Sequence, residues 1–419
     1  MGAVQMRLPE CLMTPVGARD YVDKLAFLHD EDRFPGLKQL RALGVRIGAQ
    51  FVGKLTDEMR EAYRDVPVAI HAPNGLIDQL YREDAEGGNW AGLLDDKVSG
   101  WVKFRPENTE LNRFFYLVLH GGSVGWTPSD EMLDQGRVFY RKTTHIPSYA
   151  LRAGVKLESL PTETTEAMLP RYRWPAEVTL DRYLEAVKFT TIVFGKLLGF
   201  EGLNPLLENT SITNFYKGLM LPTHLDPRVG VWVNDMRWFS DRMCWGLLCD
   251  IEHITFSWNF LNRRACYEDL SCESHLPITR TLEHFGWDFA PGYIPWATEN
   301  FSTVEDAIRA MGAHHFHVAG STREWMSCYR IDTAGGEGGQ YRITSHYPIM
   351  RLDTSFCSKL RAVLECEPIT ICTEVAGKSD IENDPFSDRW PELEVQAESW
   401  QVLHEYLLAL HKEGALPPN

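Results

Sequence analysis

The feature that most constrains the fold of this chain is a short apolar run that recurs about eight times, each copy followed by a stretch with helical spacing. Residues 244–256, CWGLLCDIEHITF, are a clear example: the apolar run stops at Asp250, and His253 follows three residues later. An apolar run of this length that ends in a polar cluster predicts a strand buried on both faces of a parallel sheet. Eight strand–helix units predict a closed (β/α)8 TIM barrel, whose chemistry lies at the carboxyl ends of the strands.

The alternation can be followed along most of the chain. The predicted strands are residues 7–13, 45–52, 67–70, 114–119, 203–207, 244–249, 314–318 and 369–373. The predicted helices include 21–43, 56–64, 180–198, 228–243, 304–311, one that ends at 360–364, and 394–410. Two long irregular segments, 124–178 and 260–300, interrupt the pattern and are predicted to be insertions that form walls or a lid at the carboxyl face. We therefore expect one TIM-barrel domain over residues 1–419.

Composition excludes several classes of partner. The formal net charge is −16 and there is no cluster of Lys and Arg, which disfavours a nucleic-acid partner. No run approaches the length of a membrane span, and residues 1–13 lack the pattern of a signal peptide. The nine Cys form no CxxC pair, and Cys244, Cys249 and Cys372 are predicted to be small core residues. We expect a cytoplasmic protein.

Polar residues with metal-binding side chains stand at the ends of the predicted strands. They are His71, His120, Glu208, Asp250, His253, His317, His346 and Glu374. Each has an ordinary explanation when taken alone, such as a helix cap or a loop histidine. Six of the eight runs, however, end in such a residue, and side chains of this kind that converge on one mouth need cations to hold them together. The pattern predicts a multinuclear site of nitrogen and oxygen ligands.

The motifs around these residues resemble the xylose-isomerase-like TIM-barrel superfamily, which includes endonuclease IV, the sugar epimerases and the multinuclear non-heme iron oxidases of the methanobactin-maturation type. The segments that carry the resemblance are IHAPNG at His71, LHGGS at His120, LLENT at Glu208, DIEH at Asp250 and His253, HVAG at His317 and ICTEV at Glu374. Within that group, HVAG and GLLCD are more similar to the HxAG and GLLLD motifs of the iron oxidases than to endonuclease IV.

The resemblance implies two or three divalent metal ions. A first ion would be held by His71, His120 and Glu208, and a second by Glu208, Asp250, His317 and Glu374. His253 and His346 would hold a third. The family pattern has Asp where this chain has Thr344, and a hydroxyl is a poor substitute for a carboxylate ligand. The sequence therefore provides fully for two metals only.

Three enzyme classes follow from the resemblance. The favoured one is an iron-dependent oxidase or oxygenase that acts on a small molecule or a peptide-borne group in a biosynthetic pathway, because imidazole and carboxylate ligands with open positions suit Fe(II) and dioxygen. A substrate-delivery protein is a partner that such an enzyme could use. Glu208, Glu374 and His253 are the candidate catalytic residues.

Two other classes stay open. A sugar isomerase or epimerase would use Mn, Mg or Co bound by Glu208, Asp250, His317 and Glu374, with the two glutamates as bases. A phosphodiesterase resembling endonuclease IV would use clustered Zn to generate hydroxide. A non-enzymatic metal-binding protein on an inactive barrel is the alternative outside enzymology.

Overall fold

The structure is a computed structural model of the 419-residue chain. It describes residues 6–17, 26–52, 55–73, 75–122, 180–210, 213–214, 224–225, 229–230, 233–255, 301–320, 330–332, 340–342, 349, 354–375 and 392–418. Both predicted insertions, 124–178 and 260–300, lie outside the described residues, as do Thr344 and His346.

Eight parallel strands form a closed barrel, which confirms the predicted fold class. In chain order they are β1 (Cys11–Gly17), β2 (Arg46–Val52), β3 (Val68–His71), β4 (Leu117–His120), β5 (Pro205–Glu208), β8 (Gly246–Asp250), β9 (His315–Val318) and β12 (Thr370–Thr373). Each strand pairs with the next of these eight, and β12 closes on β1. Two short hairpins lie outside the barrel: β6 (Thr213–Asn214) with β7 (His224–Leu225), and β10 (Arg330–Asp332) with β11 (Gln340–Arg342).

Helices alternate with the strands. They are α1 (Pro35–Ala42), α2 (Asp57–Ala62), α3 (Leu76–Ala85), α4 (Trp90–Val102), α5 (Leu180–Leu198), α6 (Val233–Met243), α7 (Val304–Met311), α8 (Thr354–Glu365) and α9 (Glu392–Lys412), with a 3-10 turn at Asn112–Phe114. Residues 251–255 are also helical. Among the described residues, none of the helices combines the length and apolar character that a membrane crossing requires.

Local signals explain where helices begin and end. The side chain of Thr303 accepts a hydrogen bond from the backbone N–H of Asp306 at 3.1 Å, which caps the start of α7. Gly312 ends α7 with a φ of +69°, a conformation in which a residue without a Cβ has little strain. Such signals act within a few residues of the helix end, so they can be recognised in the sequence. The bounds of α5 and α7 match the sequence prediction.

Two predicted strands begin at least three residues too early. The first strand starts at Cys11 rather than at residue 7 and continues through Pro15 to Gly17. Beyond Met13 it pairs with β2 and no longer with β12, so a proline that cannot donate a hydrogen bond is tolerated there. The fourth strand starts at Leu117, since residues 112–114 form the 3-10 turn.

The apolar residues of the barrel form two separate layers. Side chains that alternate along the strands point outward into the large core beneath the helices, such as Leu117 and Leu247. Their neighbours point inward and fill the barrel interior. That inner layer consists of Cys11, Met13, Ala69, Phe114, Tyr116, Val118, Leu206, Leu248 and Cys372. Cys249 and Cys372 are buried as predicted, but Cys244 is exposed, because it lies just after the end of α6 with a φ of +55°.

Candidate metal centre

The two-residue period of the strands places the predicted ligands above the inner apolar layer. Going toward the carboxyl end, Ala69 is followed on the same face by His71, and Leu206 by Glu208. The same step leads from Val118 to His120, from Leu248 to Asp250, from His315 to His317 and from Cys372 to Glu374. Parallel register then aligns the strand ends, with His120 paired to Glu208 and Asp250 paired to His317. Six ligand candidates therefore converge on one mouth.

Glu208 lies at the centre of this group. Its carboxylate is 1% exposed. One oxygen, Oε2, lies 3.0 Å from His71 Nε2 and 2.8 Å from His120 Nε2. The other oxygen, Oε1, lies 2.9 Å from His317 Nδ1. The two oxygens of one buried carboxylate thus face two different sets of donors.

His317 connects Glu208 to the last strand and to the barrel interior. Its Nδ1 contacts both Glu208 and Glu374. Its Nε2 donates a hydrogen bond of 2.9 Å to Oε1 of Gln50, a fully buried residue in the middle of β2. This bond orients the imidazole so that Nδ1 faces the carboxylates. Gln50 was missed from sequence, because it does not stand at a strand end.

Asp250 is held mainly through its backbone and one carboxylate oxygen. The side chain of Asn209 accepts from the Asp250 N–H at 2.7 Å and donates to the Asp250 carbonyl at 3.0 Å. Oδ1 of Asp250 accepts from the backbone N–H groups of Glu252 and His253, at 2.7 and 3.0 Å. Asn209 is a second residue that sequence reasoning did not assign, although its position directly after Glu208 was a usable signal.

His253 lies beside the group rather than within it. Its Nδ1 donates to the backbone carbonyl of Asn209 at 2.8 Å, and its Nε2 lies 3.8 Å from Asp250 Oδ2. The resemblance pairs His253 with His346 at a third metal, and His346 is outside the described residues. The third metal therefore stays a prediction.

Electrostatics couple the group tightly. Burial alone would raise the pKa of Glu208, but His317, His120 and His71 outweigh it and hold that pKa well below its usual value. Burial alone would lower the pKa of His317, yet Glu374 and Glu208 raise it well above the usual value. The pKa of His71 is raised for the same reason, with Glu208 as the main opposing charge. In the metal-free chain, the imidazoles and the buried carboxylates thus favour each other's charged forms.

The donor set fits divalent metal ions. His71, Glu208 and His317 form one group, and Glu208, Asp250, His317 and Glu374 form another, with the donor atoms of each within 4.8 Å of one another. Donors bound at about 2.0–2.2 Å around one ion lie about 3 Å or slightly more apart, similar to the contacts around Glu208. No thiol belongs to either group among the described residues, and burial raises the pKa of Cys249 well above its usual value. The ligands are oxygen and nitrogen.

A glycine allows the backbone to approach the centre closely. Gly121 directly follows His120, and a Cβ at that position would collide with the backbone carbonyl of Val229. Close packing between the end of β4 and the segment that follows β5 thus explains the first glycine of LHGGS, Gly121.

Comparison with known proteins adds little at the level of sequence. No protein-family model matches the chain, and no curated protein matches it. Solved structures that match this chain include the following two. Mannonate dehydratase from Streptococcus suis covers 99% of this chain and 97% of its own, with 9% identity and a TM-score of 0.42. Endonuclease IV from Thermus thermophilus covers 94% and 99%, with 13% identity and a TM-score of 0.34.

Similarity of this size carries no information about activity, and the barrel assignment rests on the strand pairing itself. What the geometry establishes is a closed (β/α)8 barrel whose mouth holds buried His, Glu and Asp side chains that could bind metal ions.

Proposed function

We propose that this chain is a metal-dependent enzyme in which Glu208 bridges two divalent ions, and that it is a non-heme iron oxidase or oxygenase. The observation that carries the proposal is the division of the Glu208 carboxylate, with Oε2 toward His71 and His120 and Oε1 toward His317. Because each oxygen faces a different set of imidazoles, the carboxylate is placed where it could be shared between two ions.

The candidate ligands divide between two positions. His71, His120 and Glu208 would hold one ion, and Glu208, Asp250, His317 and Glu374 the other. Bound as Fe(II), the pair would supply dioxygen activation and one-electron chemistry, which ligands of this type with open positions support. Iron is favoured over Mn, Mg, Co and Zn by the likeness of HVAG and GLLCD to the iron oxidases.

Exposure separates the roles of the candidate catalytic residues. Glu208 is sealed from solvent and contacts three imidazoles, so it acts as a bridging ligand. The side chains of Glu374 and His253 are 26% and 12% exposed at the mouth. These two can reach a bound substrate, and we assign proton transfer to them. A small molecule or a peptide-borne group, brought by a delivery protein, is the substrate class we propose.

One observation favours a second candidate. The Glu208, Asp250, His317 and Glu374 quartet is a complete single-metal set, which is all that a sugar isomerase or epimerase requires. In that enzyme Glu374 would move the proton while the metal polarises a carbonyl and hydroxyl pair.

Metal content per chain decides between these candidates. The protein should be purified without oxygen and without a chelating tag, beside a Glu208→Gln variant, and assayed by elemental analysis. We expect two or more iron ions per chain in the parent protein and a loss of this iron in the variant. Consumption of dioxygen would then be the next assay. A single Mn, Mg or Co would favour the isomerase, and two or three Zn without iron would revive the phosphodiesterase. No metal after reconstitution would contradict the metalloenzyme proposal.

A further inference from the structure

A buried ion pair lies behind the candidate metal centre. Lys359, on α8, is 1% exposed, and Glu252 is fully buried. The ammonium donates to Oε1 of Glu252 at 2.6 Å and to Oγ1 of Thr255 at 3.2 Å. Neither residue of the pair contacts the Glu208 group as a candidate ligand, and the proposed chemistry does not use them.

Stability alone is a poor reason for such a pair. Desolvation of two charges offsets most of their attraction, so apolar residues of similar size would stabilise the fold about as well. A role for the pair is therefore sought in the two parts of the fold that it joins, helix α8 and the segment that carries Glu252.

Glu252 belongs to the helical segment 251–255, which directly follows β8 and carries His253. Lys359 contacts this segment at Glu252 and Thr255, about one helical turn apart. Thr255 is held in turn by its own hydrogen bond to the carbonyl of Ile251, at 2.6 Å. Lys359 thus anchors the segment to α8, which stands in the chain between β9 and β12.

The anchored segment controls the Asp250 carboxylate. Oδ1 of Asp250 accepts hydrogen bonds from the backbone N–H groups of Glu252 and His253. Because both donors belong to the segment that Lys359 holds, rotation of the segment would rotate the carboxylate and move the His253 ring with it.

We propose that Lys359 and Glu252 are positioning residues, which fix the orientation of Asp250 and His253 at the second metal position. This inference rests on the proposed metal centre for its consequence, but the positioning itself can be measured without metal.

The test compares three variants with the parent protein. Lys359→Met alone leaves a buried carboxylate without its ammonium and is expected to lower the Tm strongly. The informative variant is therefore Lys359→Met combined with Glu252→Met, which replaces both charged side chains with apolar ones of similar volume. Arg309→Met is the matched control. It breaks a partly exposed ion pair between Arg309 of α7 and Glu365 of α8. This pair also involves α8, but both of its residues are far along the chain from residues 251–255.

The first readout is amide hydrogen exchange of peptides that cover residues 250–255 in the metal-free protein. We expect the double variant to exchange there about tenfold faster or more, at a Tm close to that of the parent, with no change in the control. Unchanged exchange in this segment would overturn the positioning role.

The second readout is Mn²⁺ binding, with the metal alone as the probe. We expect one of two Mn²⁺ ions to bind about 10- to 100-fold more weakly in the double variant, the range found when outer-shell support of a ligand is lost. Equal weakening of both ions together with a lower Tm would show a merely structural role and overturn the proposal. If the parent binds no Mn²⁺, hydrogen exchange alone decides whether the pair positions the segment.

Discussion

His317 at the barrel mouth and His404 in α9 are buried to the same degree, with exposed fractions of 0% and 1%, yet their pKa values shift in opposite directions. His317 faces Glu374 and Glu208, which raise its pKa well above the usual value. His404 packs against Trp400, with ring centroids 4.4 Å apart, and burial lowers its pKa to about 3. Neither ring nitrogen of His404 has a hydrogen-bond partner within the described part of the chain.

Burial of a histidine does not by itself indicate a metal site. A carboxylate partner decides whether the imidazole carries a proton that a metal ion could replace. His404 belongs to the packing between α1 and α9, whereas His317 belongs to the candidate centre.

Glu208→Gln removes the carboxylate that both halves of the centre share. We expect both metals to bind at least about 100-fold more weakly, since loss of outer-shell support alone costs about 10- to 100-fold. Isothermal titration with Mn²⁺ measures this, and Glu110→Gln, at an exposed pair with Arg46, is the matched control. If either ion kept its parent affinity, Glu208 would not be a bridge.

His317→Ala and His404→Ala make the same change at the two buried histidines. The first should lose one metal, with affinity reduced about 100-fold or more, because a ligand rather than an outer-shell group is removed. The second should keep both metals and show only the stability loss of a buried cavity. Metal per chain after dialysis distinguishes them, and equal losses in the two variants would contradict the comparison.

Gln50→Leu removes the acceptor that orients His317. We expect metal affinity at the second position to fall by about 10- to 100-fold, with the Glu208 contacts to His71 and His120 unaffected. Gln39→Leu, at an exposed position of α1, controls for the substitution itself. Parent affinity in Gln50→Leu would show that the carboxylates alone orient the imidazole.

The smallest expected effect is on the pH dependence of stability. The pKa of His404 falls from about 6.5 in the unfolded chain to about 3 in the fold, so its neutral form contributes stability above pH of about 6.5, and that contribution is lost as the pH falls toward 3. His404→Leu should therefore flatten the decline of Tm between pH of about 6.5 and 4.

The histidines at the mouth of the metal-free barrel should give the pH dependence of stability the opposite sign. The raised pKa values of His71 and His317 stabilise the fold below pH of about 6.5, and this contribution is lost as the pH rises through their folded values. Tm should thus decline on the alkaline side in the metal-free protein, and saturating Mn²⁺ should remove that decline. An alkaline decline that persists with Mn²⁺ would place its origin elsewhere.

Much of the barrel could be predicted from sequence because its determinants are local. The apolar runs, the cap at Thr303 and the stop at Gly312 act over a few residues, and the ends of α5 and α7 follow from them. Helices α3 and α4 were not assigned, and the start of β1 was placed too early, since its pairing with two neighbouring strands is not encoded in a local pattern.

The residues of the candidate site likewise divide into those that the sequence indicates and those that only the structure reveals. His71, His120, Glu208, Asp250, His317 and Glu374 could be proposed from sequence because each stands at a strand end. Gln50 lies 267 residues from His317 in the chain and in the middle of a strand, so only the closed barrel reveals their hydrogen bond. Lys359 likewise meets Glu252 across 107 residues.

The sequence by itself determined the eight barrel strands and the side-chain types at the mouth, because periodicity and strand ends are properties of short segments. The tertiary structure alone decided which carboxylate oxygen faces which imidazole, and hence the direction of each histidine pKa shift. These depend on strand register and on burial by distant residues, which exist only once the barrel has closed.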